Sequence, residues 1–371
     1  MNAPKIRFND FNDEWVEYIL QSESDVRDGT HDSPKYVDNG YPLITSKNLT
    51  DMGTLDFSNV SYLKQEDFNK INQRSKVDIG DILFGMIGTI GKPVRIDRDD
   101  FAIKNVALIK EKGLIKNDYL IHYLHTPTIN KQFANNQDGG TQKFIALDKI
   151  RKLKIKMPSR KEQEKIVSLF NLLDKKIELQ SKKIEDLKLF KKGLSYKIFS
   201  TLDVDKEEKL GNICNITTGK LDANAMVENG QYRFYTCAKD YYYIDKYAFD
   251  TEALLISGNG AYVGYIHYYK GKFNAYQRTY VLDQFTENIH YIKVYLDEFL
   301  SKRINSEKKE GNTPYIVLST LSDMMIKLTN PKDENKVINT FNNIKNKIDK
   351  EELKLNKLIE LKKGLMQNMF V

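Results

Sequence analysis

The chain carries one long helix twice, and that repeat constrains its architecture more than any other feature. From Ile166 the apolar residues fall at Phe170, Leu173, Ile177, Ile184, Leu187, Leu194 and Ile198. A shift of 171 residues reproduces the series as Val337, Phe341, Ile344, Ile348, Leu355, Leu358, Leu365 and Met369. Steps of four and three describe the apolar seam of a coiled coil. Both copies close on the same residues, Lys191 to Leu194 with Phe199 and Lys362 to Leu365 with Phe370. The pattern predicts globule, long helix, globule, long helix. At ~1.5 Å rise per residue, about forty residues span roughly 60 Å.

Each helix has one apolar seam and polar flanks, so it needs a partner, and the simplest is the other helix of the same chain. Lys191 and Lys362 interrupt the seam at matching places; they either fix its register or snorkel outward. Gly193 and Gly364 also recur, and glycine inside a helix costs about 1 kcal/mol relative to alanine. Their recurrence marks close approach of another backbone or fraying near a helix end. Pro158 with Ser159 opens the first helix, and Pro331 with Asp333 the second. The domains expected are residues 1–157, a helix at 158–201, residues 202–328 and a helix at 329–371.

The repeat continues into the globules. Ile87-Gly88-Thr89-Ile90-Gly91 is matched by Gly260-Ala261-Tyr262-Val263-Gly264, and Phe101 with Asn105 by Phe273 with Gln277. Farther on, Gly140-Thr141-Gln142-Lys143 is matched by Gly311-Asn312-Thr313-Pro314. Before these points the copies diverge, and the first globule is the longer. In it, residues 77–84 and 106–110 read as strands and 119–133 as helix. The fold class expected is α+β, with a pseudo-two-fold internal repeat. Shared scaffolds with divergent surfaces suit two readers of different targets.

Composition narrows the function by exclusion. Apolar residues make up 40% and charged residues 29%. No run reaches membrane-spanning length, no signal-peptide core opens the chain, and Cys214 and Cys237 form no metal-type pair, which points to the reduced cytoplasm. The net charge of +7 is compatible with a polyanionic partner but does not select one. No phosphate loop occurs, and the glycine-rich segments lack the amphipathic helix that a dinucleotide or S-adenosylmethionine loop requires. His122 and His125 lack a third ligand, so no metal site is expected. No acid–base pair, nucleophile constellation or nuclease cluster is evident, so the chain is expected not to be an enzyme and to hold no cofactor.

What remains is polar and aromatic material on turns at matching places in the two copies. In the first globule the candidates for DNA contact are Thr45, Lys47 and Asn48, Thr89 and Lys92, Asn105, and Gln142 with Lys143. In the second they are Lys239 with residues 241–243, Asn259, Gln277 with Arg278, and Thr313 with Tyr315. Lys and Arg bond guanine edges or phosphates, and Asn and Gln make the paired bonds that select adenine. Loop amides are also common turn formers.

The whole chain resembles the specificity subunits of type I restriction–modification systems. Ile6-Arg7-Phe8, Phe11, Trp15 and Leu20 are similar to the family's N-terminal segment. Gly139 to Phe144, Ile155 to Pro158 and Glu162 to Ile166 resemble its passage from recognition domain into conserved helix, and the closing Lys-Lys-Gly-Leu its helix endings. The second copy departs with Asp333-Glu334 for Glu162-Gln163 and with Asn330-Pro331 at the junction. The resemblance implies two target-recognition domains separated by an antiparallel pair of long coiled-coil helices, each domain reading half of a split site in double-stranded DNA. It also implies two methyltransferase subunits docked on the helices, joined by nuclease/translocase subunits. S-adenosylmethionine, ATP and Mg would then sit on those partners. Two other readings stand beside it. One is the specificity component of a related methyltransferase–nuclease system; the other is a coiled-coil scaffold with no nucleic-acid role.

Overall fold

The structure, a computed structural model, describes residues 3–50, 53–88, 90–134, 144–307 and 315–371. Its contacts divide into two compact units, Met1–Ser181 with Leu353–Val371, and Lys182–Glu352. Each unit therefore holds one globule and half of each long helix.

In the first unit, strand Val16–Ile19 pairs antiparallel with Lys154–Met157 just before the first long helix. A four-stranded antiparallel sheet follows the order Ser24–Asp28, Val106–Glu111, Ile82–Gly85, Gly91–Arg95. Its central strands alternate between two cores, as the two-residue period of a strand requires. Ile82, Phe84, Ala107 and Ile109 face the cluster that holds Trp15, Tyr119 and Phe170. Leu83, Val106 and Leu108 face a second cluster with Ile44 and Phe101. A smaller sheet orders Ser61–Leu63, Tyr41–Ile44 and Ala102–Ile103, the last pair parallel.

Two expectations change here. The strand at 77–84 is only Ile82–Gly85, because the segment before it turns: Asp81 N–H donates to the Asp78 carbonyl at 3.0 Å. The helical stretch at 119–133 is two helices, Asn117–Leu124 and Pro127–Ala134. Pro127 cannot continue the preceding ladder, and the Thr126 hydroxyl accepts from Ile129 N–H at 3.4 Å to start a new one.

The second unit repeats this plan. Lys206–Lys209 pairs antiparallel with Met325–Leu328, and the short helices Leu20–Glu23 and Leu210–Ile213 follow the equivalent strands. The sheet order is Asn215–Thr218, Thr279–Asp283, Phe249–Ser257, Ile266–Ala275, Tyr232–Tyr235, Tyr242–Ile244. The ten-residue strand Ile266–Ala275 does in one piece what Gly91–Arg95 and Ala102–Ile103 do in two. The first unit breaks there at Asp97-Arg98-Asp99-Asp100, a composition poorly suited to a strand.

The long helices are Arg160–Thr201 and Pro331–Asn368. The sixteen seam residues are all buried or half-buried. Within each unit the two helices run antiparallel. In the first, Phe170 meets Phe370 at 5.6 Å between ring centroids and Asp174 pairs with Lys362. In the second, Lys183 pairs with Glu351 at 3.1 Å and Phe199 meets Phe341 at 5.9 Å. The repeated closing phenylalanine of each helix thus packs beside the opening turns of the other. Lys191 pairs with Glu298 and Lys362 with Asp174, so each interrupting lysine takes a carboxylate of its own unit. Gly193 and Gly364 mark no close approach: a methyl group on either would meet nothing within 4 Å.

His122 is a packing group, 5.1 Å from the Phe170 ring, and burial lowers its pKa from 6.5 to about 4. Between those values the unfolded chain binds a proton that the folded chain refuses, so stability falls as pH drops through the window. We expect a loss of about 2 kcal/mol between about pH 7 and about pH 5 from this group. His122→Phe should remove that share of the acid sensitivity in urea melts of the first unit; an unaltered pH dependence would contradict it.

Candidate nucleic-acid interface

In the first unit, Thr45, Lys47, Asn48 and Asn105 line one cleft of about 610 Å³, together with Lys104 and Gly88. The chain reaches this arrangement through the parallel strand pair. Lys104 N–H donates to the Ile44 carbonyl at 2.9 Å and the Ser46 hydroxyl to the Asn105 carbonyl at 3.2 Å. Asn105 sits at φ 55°, in the left-handed region that Asn tolerates, and this turns its side chain out of the ladder. Lys47 is exposed and Asn105 half-buried.

Asn48 forms part of the wall, but its amide is fully engaged in the loop. Its Oδ1 accepts from Thr45 N–H at 2.9 Å, and its Nδ2 donates to the carbonyls of Asp56 at 3.0 Å and Asn59 at 3.3 Å. At 6% exposure it shapes the cleft and offers no open edge. Lys92 lies elsewhere, lining a separate hollow with Pro93, His125 and Asn130. Thr89, Gln142, Lys143 and Thr313 lie outside the described residues.

In the second unit three segments converge on Gly258. Its N–H donates to the Arg278 carbonyl at 2.9 Å, and its carbonyl accepts from Ile316 N–H at 2.8 Å. Asn259 and Tyr315 form an antiparallel bridge, as Ile87 and Phe144 do in the first unit. Asn259, Arg278 and Tyr315 are therefore brought together, and Gln277 adjoins Arg278. Lys239 lies 5.4 Å from the Tyr262 ring centroid, on the Gly260–Gly264 loop. Tyr241, Tyr242 and Tyr243 are exposed, and Tyr241 stacks under the Arg233 guanidinium at 4.2 Å. Cationic groups interleaved with exposed rings suit contact with phosphates and bases.

Asn105 and Gln277 occupy one backbone position in the two units. Lys104 bridges Thr30 in parallel and Tyr276 bridges Leu221 in parallel. The next residue then donates its N–H to the bridge partner's carbonyl, Asn105 to Thr30 at 3.2 Å and Gln277 to Leu221 at 2.9 Å. The correspondence read from the repeat therefore has a geometric basis. Lys104, His31 and Arg233 escaped the sequence reading. Lys104 beside Asn105 was the one visible signal, while Arg233 and His31 are placed by residues distant in the chain.

Among the described residues no group of three or more His, Cys, Asp or Glu side chains is placed to hold a metal ion. No helix among them is long and apolar enough to cross a membrane.

A family model described as the type I restriction modification DNA specificity domain matches residues 30–189 and again 204–361. The chain is similar to the EcoDI type I restriction enzyme specificity subunit of Escherichia coli, at 34% identity over 167 residues, 45% of this chain and 37% of that protein. Such matches span only 31–39% of the length of the curated relatives. Among solved structures, the S subunit of a type I restriction–modification system from M. genitalium aligns at TM-score 0.67 and 18% identity. That alignment covers 100% of this chain and 99% of that one. A chain from a study of complex assembly and conformational transition in the type I system aligns at TM-score 0.61 and 13% identity, covering 95% and 96%. These two likenesses concern the fold.

Proposed function

The chain belongs to the type I restriction–modification DNA specificity family, and from that premise we propose that it reads an asymmetric, split site in double-stranded DNA, one globule per half-site. The observation that carries this reading is the duplicated edge: equivalent amides, Asn105 and Gln277, stand on the same bridged backbone in different surroundings. Lys47 and Lys104 on one side, and Lys239 and Arg278 on the other, supply phosphate contacts that orient the duplex. Affinity then falls steeply with salt, as counterion release requires.

Methyl transfer to adenine and cleavage belong to separate subunits in this account, and this chain contributes no catalytic step. Its helices offer apolar surface for docking two methyltransferase subunits, joined by nuclease/translocase subunits. Leu189, Phe190 and Tyr196 are 70%, 60% and 79% exposed on the first helix, and Leu353, Ile359 and Leu361 are 55%, 48% and 50% exposed on the second. Apolar residues so placed on a helix surface suit a partner protein. S-adenosylmethionine, ATP and Mg would be held by those partners, in the cytoplasm.

The test is Gln277→Ala in the complex with methyltransferase subunits, on duplexes that carry the methylated genomic site. Selection at one base of one half-site should relax by about 1–3 kcal/mol, with the other half-site untouched. Equal loss at both half-sites, or none, would count against one reader per half.

A further inference from the structure

Each of the two equivalent amides is gripped by the residue that follows its bridge partner. Asn105 Oδ1 lies 2.7 Å from His31 Nδ1, beside Thr30. Gln277 Nε2 donates to Asp222 Oδ1 at 2.8 Å, beside Leu221. We propose that His31 and Asp222 are positioning residues that set, in opposite senses, which half of the amide each globule offers to a base. This rests on the reading of Asn105 and Gln277 as base-contacting groups.

The proton inventory fixes the two senses. A carboxylate only accepts, so Asp222 holds the Gln277 Nε2 side and leaves Oε1 open beside the remaining N–H. That open pair matches the N6 and N7 edge of adenine. In the first globule His31 Nε2 lies 2.8 Å from Asp28 Oδ2, which requires a hydrogen on Nε2. The imidazolium form carries a hydrogen on Nδ1 as well, and that form matches Asn105 Oδ1 as the other neighbour. Asn105 then holds its oxygen inward and offers Nδ2 donors, which suit an acceptor edge such as guanine O6 and N7.

A neutral His31 reverses this. With its one hydrogen held on Nε2 by Asp28, Nδ1 becomes an acceptor and can meet only an Asn105 N–H. The amide turns over, and Oδ1 faces outward as Oε1 does in the second globule. The charged groups around His31 are of mixed sign, so its hydrogen bonds to Asp28 and Asn105 decide the direction. Asp28 is also paired with Arg74, while Asp32, Asp67 and Lys70 line the same hollow, and Lys104 reaches Ser33 beside it. The Asp28 hydrogen bond, then the Asn105 bond, raise the His31 pKa above 6.5 against desolvation and the Arg74 charge. Donor readout therefore holds below that raised pKa and is lost as pH rises through it. Asp222 gives the second globule no such switch.

The complex with methyltransferase subunits, bound to duplexes with each base of the genomic site replaced in turn, tests this at about pH 6 and about pH 8.5. At one position of the first half-site the preferred base should change, by about tenfold in relative affinity, with no such change in the second. His31→Leu should abolish the pH effect. Asp222→Asn should level a second-half preference by about tenfold at both pH values, because Gln277 can then turn either way. The unaltered half-site serves as the folding control for each variant, and the wild-type pH comparison needs no variant. One base ranking at both pH values in wild type, a pH effect that survives His31→Leu, or an intact ranking in Asp222→Asn would overturn the proposal. Failure of the underlying reading looks different: Asn105→Ala and Gln277→Ala would leave base selection in both half-sites unaltered at either pH.

Discussion

Phe170→Ala is expected to destabilise the first unit by about 3–5 kcal/mol, and Phe341→Ala the second by a similar amount. Phe170 is fully buried, with the Phe370 ring at 5.6 Å and His122 at 5.1 Å. Phe341 is 3% exposed, with Phe199 at 5.9 Å and the Lys191 ammonium 5.8 Å from its ring centroid. Each ring locks the opening of one helix to the end of the other, so its loss opens a cavity shared by two elements. Several kcal/mol is a large fraction of a domain's stability. Hydrogen exchange should show Phe170→Ala loosening peptides of residues 3–181 and 353–371, and Phe341→Ala those of 182–352. A loss below about 1 kcal/mol in denaturant midpoints, or loosening of the wrong unit, would contradict the packing described.

Gly219→Ala should disable the second reader while sparing the first. A methyl group built on Gly219 overlaps the Ala275 carbonyl, just before the parallel bridge between Leu221 and Tyr276 that places Gln277. The obstacle is backbone, which cannot rotate away, so the strand must move or the bridge must break. We expect a cost of several kcal/mol and loss of selection in one half-site. Gly193→Ala, where a methyl group meets open space, is the contrasting control and should gain about 1 kcal/mol. If Gly219→Ala kept both half-sites, the bridge would not be what positions Gln277.

The helix pair was legible because its signal is periodic: sixteen apolar positions, mostly at steps of three and four, mark one seam on each helix. The closing phenylalanines were visible as repeats, though their crossed packing was not. Asn105 and Gln277 emerged from aligning the two copies, and the shared bridges explain why that alignment worked. His31 and Asp222 were out of reach, since they lie 74 and 55 positions from the amides they hold. Such contacts follow from strand order, which no local pattern encodes. Asn48 illustrates the converse difficulty. An amide that braces a loop and an amide that reads a base are the same residue type on the same kind of turn, and only the four hydrogen bonds of Asn48 at 2.9–3.3 Å, to Thr45, Asp56 and Asn59, separate the roles. The helix break at Pro127 was written in the sequence, since proline cannot continue a helical ladder.

Mapping methylated adenines genome-wide, in cells with and without this chain, tests most directly the claim that two unlike readers act from one polypeptide. Methylation is expected at one split motif, with two different half-sites around bases that are not selected, and should disappear when the chain is removed. A motif with identical halves, or methylation indifferent to the chain, would contradict it.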